Sequence, residues 1–482
     1  MKKTTLALTA ATCLLSFHLH AEIRAAPPQI GEPPESQNMH LLGYDRLQAR
    51  AAYQPTIQHQ GDRYIAYIGH HGGTTTIANP LNPLTGKAEP NGTSLLDVTD
   101  PAHIKYLAHI PGEPGLYEDG GAQMVRVCNG ADLPKGDKSA VYMLRTFGNS
   151  AHEVWNTADP EHPKLIARLE GLKGTHKSWW ECDTGIAYLV SGAPGWRVAR
   201  MTQVYDMSDP AHPVFIRNFG LVGQEPGSTG PVPTQLHGGI SMGVAANRVY
   251  FGYGTNGGGI FQIVDRDKLI HGPAEPTKEN LLYPQVGRLD LSPLIGAHTT
   301  YPMIGIPVPG MLHDKIGAKR DFLMIVNEQI ANECQEARQM VWFADISSEA
   351  KPMVVSNYTA PEAGSDFCSR GGRFGSHSSN ESMFPIYRNK LAFISYFNAG
   401  VRALDIRNPY QPHEVGYFIP SITADTDSRC IKVDGRDRCK IAIQTNNVET
   451  DDRGYIYIVD RANTGMHILA LDGDAAAIAA AK

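Results

Sequence analysis

Four histidines stand in matching surroundings: His176 in "GTHKSWWECDTG", His237 in "TQLHGGISMGVAANR", His298 in "IGAHTTYPMIGIP" and His377 in "FGSHSSNESMFPIYRNK". Each opens a short β-rich run that a small turn joins to a second apolar run. Neutral imidazole is a good ligand for Zn, Cu or Fe. If the four segments are equivalent parts of one repeat, the rings converge, and His176, His237, His298 and His377 are the expected metal ligands. Four neutral ligands leave a Fe, Cu or Zn ion its full charge, which suits activation of water or dioxygen. The alternative is structural: a repeat copies its own residues, and a histidine at a strand head can simply bond a neighbouring carbonyl.

The elements that must hold these residues are announced by one recurring phrase. "LLDVTDPAHIKYLAHI" begins at Leu95, "EVWNTADPEHPKLIARL" at Glu153, "QVYDMSDPAHPVFIRNF" at Gln203, "FADISSEAKPMVVSNY" at Phe343 and "ALDIRNPYQPHEVGYFI" at Ala403, with weaker copies from Phe261 and His467. Each good copy is a β-rich run, a polar Asp-Pro turn and a second β-rich run. Proline can open a turn but cannot sit in a central strand, so the turn separates two strands. Two more apolar runs precede each copy. Four strands per unit, repeated at roughly 50 to 65 residues, predict an all-β, seven-bladed β-propeller. A sandwich or tandem Ig-like array would not repeat one turn phrase so often. The last unit supplies only three strands, so residues 38 to 47 ("NMHLLGYDRL") are expected to complete it and close the ring. The predicted organisation is a signal peptide over 1–21, a linker over 22–37, the propeller over 38–473 and an Ala-rich tail over 474–482.

The phrases "DVTDP" and "DMSDPAHPVFI" resemble those of the LVIVD-repeat β-propeller proteins of bacteria, and the likeness covers nearly all the chain after the signal segment. It implies the propeller fold. A more distant resemblance is to the selenium-binding protein and methanethiol oxidase propellers, which are copper-dependent and rich in histidine, although their local motifs are absent here. Carotenoid cleavage oxygenases offer an architectural analogy, since they hold iron with four histidines on the axis of a seven-bladed propeller.

The inner strand of a propeller blade lines the central channel. Counting back from each first turn aligns its head with His176, His237, His298 and His377 in blades three to six. The other heads fall near Arg50 in blade one, Glu118 and Asp119 in blade two, and Asn446 and Asn447 in blade seven. The loops between second and third strands return to the same face. They carry His70, His71, Asn149, His152, Trp196, Arg197, Tyr253, Asn256, Asn327, Glu328, Tyr396 and Asn398, which mark it as the expected binding rim. Glu181 and Glu381, just inside inner strands, are expected to orient histidines. His103, His162, His212 and His413 lie in or beside the Asp-Pro turns and are expected to be solvated. Strand alternation puts Trp180 on the side of His176 and Trp179 on the other, with at least one of the two packed between blades.

Compartment is read from the N-terminus and the cysteines. Lys2 and Lys3 precede a mostly apolar run, Thr4 to Phe17, that is too short to span a bilayer, as in a secretory signal peptide. Six cysteines remain beyond it, an even number that suits disulfides in a periplasmic or secreted protein. Cys430 and Cys439 flank a turn-like Asp-Gly and are the favoured pair; Cys128–Cys182 between neighbouring blades is feasible and leaves Cys334 with Cys368. A formal net charge of -6 without a basic cluster argues against nucleic acid as partner. Nor is any later segment apolar enough to span a membrane. Three functions fit these observations. The first is a metal-dependent oxidase or oxygenase acting on a small organic substrate at the top of the channel. The second is a scaffold that recognises an envelope partner, and the third is a metal-free lyase or hydrolase using His152, Arg197 and Tyr253.

Overall fold

The computed structural model describes residues 27–481 apart from 312, 314, 316 and 362–365. The expected signal peptide lies outside the described residues. Seven antiparallel sheets follow one another along the chain, each built outward from an inner strand. The inner strands are Ala52–Gln60, Val125–Asn129, Ser178–Trp180, Leu236–Ser241, Thr299–Pro307, Ser378–Ser379 and Thr445–Thr450. Each inner strand packs against those of the next and the previous blade, and the seventh returns to the first, so the ring is a closed seven-bladed propeller.

The N-terminal strand closes it as the sequence predicts. Met39–Asp45 pairs antiparallel with Gly465–Leu471 and becomes the outermost strand of blade seven. Glu35–Gln37, in the segment read from sequence as linker, adds a fifth strand to blade six by pairing with Tyr417 to Ile419. Asn38, at φ 53°, turns the chain from one blade to the next, and its amide donates to the Val415 carbonyl at 2.7 Å. Such a left-handed backbone is tolerated by Asn better than by most residues. The Ala-rich C-terminus forms a helix, Gly473–Ala480. Its last carbonyls, at Ala479 and Ala481, accept from Lys390 Nζ, which satisfies groups a helix end otherwise leaves open.

The recurring phrase has a structural counterpart. The two outer strands of every blade shift register once, between Leu95/Leu96, Val154/Trp155, Val204/Tyr205, Ile263/Val264, Phe343/Ala344, Ala403/Leu404 and Leu41/Gly43. A bulge of this kind increases local twist, which each blade needs to lie against the next. In the turns that follow, His103, His162 and His212 each bond an aspartate three residues earlier, Asp100, Asp159 and Asp209, and stay exposed. The core is divided among seven apolar clusters, one at each interface between blades.

All three cysteine pairs form. Cys128–Cys182 joins blades two and three with Cα atoms 5.4 Å apart. Cys334–Cys368 and Cys430–Cys439 have Cα separations of 5.5 and 4.0 Å. The last staples a hairpin, Ser428–Val433 with Arg436–Ile441, between blades six and seven. Trp180 packs between blades two and three with Cys128 and Leu144. The alternation expected from His176 is corrected, however. The strand begins at Ser178, so Lys177 is an extra residue and the parity changes. Trp179 instead lies 4.8 Å beneath the Arg126 guanidinium, whose carboxylate partner Glu381 comes from blade six, and it therefore faces the channel.

Candidate metal centre

The four histidines meet on the axis, all at least 97 % buried. His176 Nε2 lies 3.1 Å from His237 Nε2. The rings of His237 and His298 have centroids 3.6 Å apart, and those of His298 and His377 4.5 Å. Tyr53 closes the circle, with its hydroxyl 3.4 Å from His176 Nε2 and its ring 5.7 Å from that of His377. Irregular strand heads make this convergence possible. His237 sits in a bulge between Leu236 and Gly238, Tyr53 in one between Ala52 and Gln54, and Asn446 and Asn447 in one between Thr445 and Val448. Bulges re-aim side chains at such rims. His176, His298 and His377 precede their strands, held by backbone N–H bonds to the carbonyls of Val190, Val326 and Ser395 in the second strand of the same blade.

Hydrogen bonding assigns the tautomers of two rings. His377 Nδ1 is 2.6 Å from the Asn446 carbonyl, which can only accept, so Nδ1 carries the proton. His298 Nδ1 is 2.9 Å from Thr299 Oγ1. That hydroxyl already accepts from Lys177 Nζ at 2.9 Å. Its own hydrogen is directed to Ser378 Oγ at 3.4 Å, because the Ser378 hydroxyl donates to the Ser379 carbonyl. One acceptor site remains on Thr299, and His298 Nδ1–H occupies it. Burial pushes the pKa of all four rings well below the ordinary histidine range and keeps them neutral. The Nε2 atoms of His298 and His377 therefore carry free lone pairs, and neither has a hydrogen-bond partner among the described residues.

Those lone pairs face a carboxylate. Glu328, from the loop after the second strand of blade five, brings one oxygen to 3.8 Å from His298 Nε2 and the other to 3.5 Å from His377 Nε2. Ligand atoms of His237, His298 and Glu328 all fall within 4.8 Å of one another. Two nitrogens bound at 2.0–2.1 Å to one ion would stand about 2.9 Å apart at a right angle and about 3.4 Å apart at a tetrahedral angle. The His176–His237 separation of 3.1 Å lies between these values.

Cations surround the acid. Glu328 Oε1 accepts from Arg373 Nη1 at 3.0 Å and has Arg461 Nη1 at 3.6 Å. Burial raises the Glu328 pKa, and Arg373 and Arg461 oppose the shift. Arg461 Nη2 donates to His71 Nε2 at 2.7 Å and to Glu118 Oε1 at 2.6 Å. Burial, reinforced by Arg461, holds the His71 ring down at about 3. Gly371 and Gly372, at φ 89° and 67°, turn the chain so that Arg373 enters the mouth; a Cβ on Gly372 would meet the Gln444 side chain at 2.3 Å.

Other sequence expectations need correction. His152, Arg197 and Tyr253 do not assemble into one site. His152 lies buried in the third strand of blade two and interacts with the Val190 backbone of blade three. The Tyr253 hydroxyl, also buried, donates to Gln262 in its own blade at 2.9 Å, and Arg197 donates to the carbonyls of Gly223 and Gly230. Strand alternation turns the first two away from the axis. Glu181 pairs with Arg266 and bonds Ser241 and Tyr188, away from every histidine of the centre. Glu381 acts at one remove, paired with the same Lys177 that bonds Thr299. Arg50 is not a channel residue, since its guanidinium donates to Glu89, Pro80 and Asn91. Sequence reasoning missed Tyr53, Lys177, Thr299, Arg373 and Arg461; only Tyr53, three residues beyond the expected head of blade one, carried a local signal.

No protein-family model and no curated protein matches the chain, so the LVIVD-repeat expectation has no family match behind it. Among solved structures, the chain is similar to a hypothetical selenium-binding protein from Sulfolobus tokodaii (12% identity, 90% of this chain and 94% of that one, TM-score 0.48). It is also similar to Sqt1 from Chaetomium thermophilum (7% identity, 90% and 98%, TM-score 0.47) and to the computationally designed Ika8 protein (9% identity, 89% and 98%, TM-score 0.42). At such identities and scores, none of these likenesses carries function.

Proposed function

We propose that this chain is an exported metalloenzyme, an oxidoreductase that holds Fe, Cu or Zn at His176, His237, His298 and His377 and acts on a small organic substrate at the mouth of the channel. The observation that carries this reading is the meeting of two unprotonated ring nitrogens, His298 Nε2 and His377 Nε2, with the Glu328 carboxylate. Two ring nitrogens with open lone pairs and a carboxyl group, buried together, offer a cation three electron-pair donors. Bound there, an ion would supply Lewis-acid or one-electron chemistry. The residues of the chain hold the rings of His298 and His377 in their binding tautomers through Thr299 and Asn446, and the burial of all four rings limits access of bulk water. The predicted signal segment and three disulfides support export to an oxidising compartment, and no helix among the described residues is long and apolar enough to cross a membrane.

Elemental analysis of protein purified without a histidine tag tests the proposal. It expects one equivalent of Fe, Cu or Zn, lost in the His237→Ala/His298→Ala double variant. Folded wild-type protein that stays metal-free after incubation with each of the three ions would overturn it.

A further inference from the structure

Above the histidines the channel opens into a cavity of about 330 Å³, lined among others by His71, Tyr117, Ile330, Asn332, Arg373 and Arg461. Its wall includes Ser428, Arg429 and Cys430 at the base of the disulfide-stapled hairpin, which Asn332 Nδ2 ties down through the Cys430 carbonyl at 3.0 Å. This volume is at the small end for sites that enclose a small molecule.

The arginines at this mouth are incompletely used. Arg461 is 92 % buried, at 8 % exposure, and among the described residues its Nη1 makes no hydrogen bond, lying only within 3.6 Å of Glu328 Oε1. Arg373 donates to Glu328 Oε1 and to the Gln329 carbonyl from Nη1 alone, which leaves Nη2 and Nε. Arg200, half-buried just before the third strand of blade three, has no hydrogen-bond or ion-pair partner for its guanidinium among the described residues. Its side chain lies against Gly174, two residues before His176, where a Cβ would meet Arg200 Cγ at 3.5 Å; from there its charge also acts on His176, His237, Glu118 and Glu328. Arg429 is neutralised by Asp427 at 2.6 Å. Three arginines against two carboxylates, Glu118 and Glu328, leave one positive charge in a partly dry site. Holding such a charge unpaired is costly, and the planar guanidinium fork is suited to an oxyanion.

We infer that Arg200, Arg373 and Arg461 form a clamp for the oxyanion group of a small organic acid. The acid's carbon skeleton would rest on Tyr117 and Ile330, and its far end would point at the histidine centre. The shared chemistry is a carboxylate or phosphate oxyanion. Calling this anion the substrate rests on the metalloenzyme reading; the clamp itself does not need the metal.

Titration calorimetry on chelator-treated and on metal-loaded protein separates the two. The probes are benzoate, inorganic phosphate and uncharged benzyl alcohol. Benzoate, phosphate or both are expected to bind at millimolar concentration or below, and benzyl alcohol far more weakly. Binding of benzoate alone assigns a carboxylate; binding of phosphate as well assigns a general oxyanion site. Arg200→Met, at a half-exposed position that should fold normally, is expected to weaken anion binding by about tenfold or more, and Arg461→Met to weaken it further. The His237→Ala/His298→Ala variant should keep anion binding. Metal binding without anion binding overturns the clamp and leaves the metal centre standing, whereas anion binding to protein that takes up no metal does the reverse. Equal affinity for benzoate and benzyl alcohol, or unchanged affinity in Arg200→Met, also overturns it.

Discussion

Thr299→Val is the sharpest perturbation of the centre, because it removes one oxygen and almost no volume. Thr299 Oγ1 receives both Lys177 Nζ and His298 Nδ1–H, each at 2.9 Å, and all three residues are no more than 2 % exposed. Valine leaves the His298 N–H without a partner in a dry site, at a cost of about 1–3 kcal/mol. Lys177 loses less, since it keeps Glu381. The variant should therefore unfold in urea with about 2 kcal/mol less stability than wild type. The larger consequence is chemical. With no acceptor at Nδ1, the His298 proton can move to Nε2 and block the lone pair needed for metal. Loss of a group that orients a ligand typically weakens metal binding by about 10–100-fold, or about 1.4–2.8 kcal/mol. A chelator-competition titration measures it directly. Thr299→Ser restores the oxygen and should recover most of the affinity. If Thr299→Val binds metal as tightly as wild type and unfolds at the same urea concentration, the assigned tautomer and the role given to Thr299 are both wrong.

Three further outcomes are expected. Replacing Cys128 and Cys182 by Ser opens a link spanning 54 residues and should cost about 4 kcal/mol by the loop-entropy relation, read from denaturant unfolding. Deleting residues 35 to 45 strips the outermost strand from blades six and seven, so light scattering should show association through the bared edges and calorimetry a lower Tm; an unchanged monomer would contradict ring closure. Glu449, near the other end of the channel, has its carboxyl raised from 4.5 to about 7 by burial and by the nearby Glu381. The unfolded chain loses this proton first as pH rises, so the group's contribution is complete below 4.5 and disappears as pH climbs through about 7. Wild type should accordingly lose stability relative to Glu449→Gln between pH 5 and 8, as followed by urea midpoints; parallel pH curves would exclude that shift.

Much of this molecule is written locally. Apolar alternation, the small turn and the Asp-Pro turn each act over a few residues, and their seven-fold recurrence specifies four-stranded blades whatever the rest of the chain does. Even closure by Met39–Asp45 follows, because a unit with three strands needs a fourth. The heads of blades three to six could be counted to His176, His237, His298 and His377 for the same reason. Local signals could not reveal the irregularities that aim those heads. The bulges at Tyr53, His237 and Asn446, and the extra residue Lys177 before the third inner strand, change side-chain parity by one residue, and parity decides whether a group faces the axis or the neighbouring blade. His152 and Tyr253, on the same rim in sequence, fall on the parity that packs toward the neighbouring blade. The partners of the centre were hidden for a related reason. Glu328, Arg373 and Arg461 come from blades five, six and seven, and Lys177 reaches Thr299 from two blades away. Their pairing exists only once the ring has closed and brought seven separate strand ends around one axis, so the repeat alone determined the blades and the tertiary structure decided the chemistry between them.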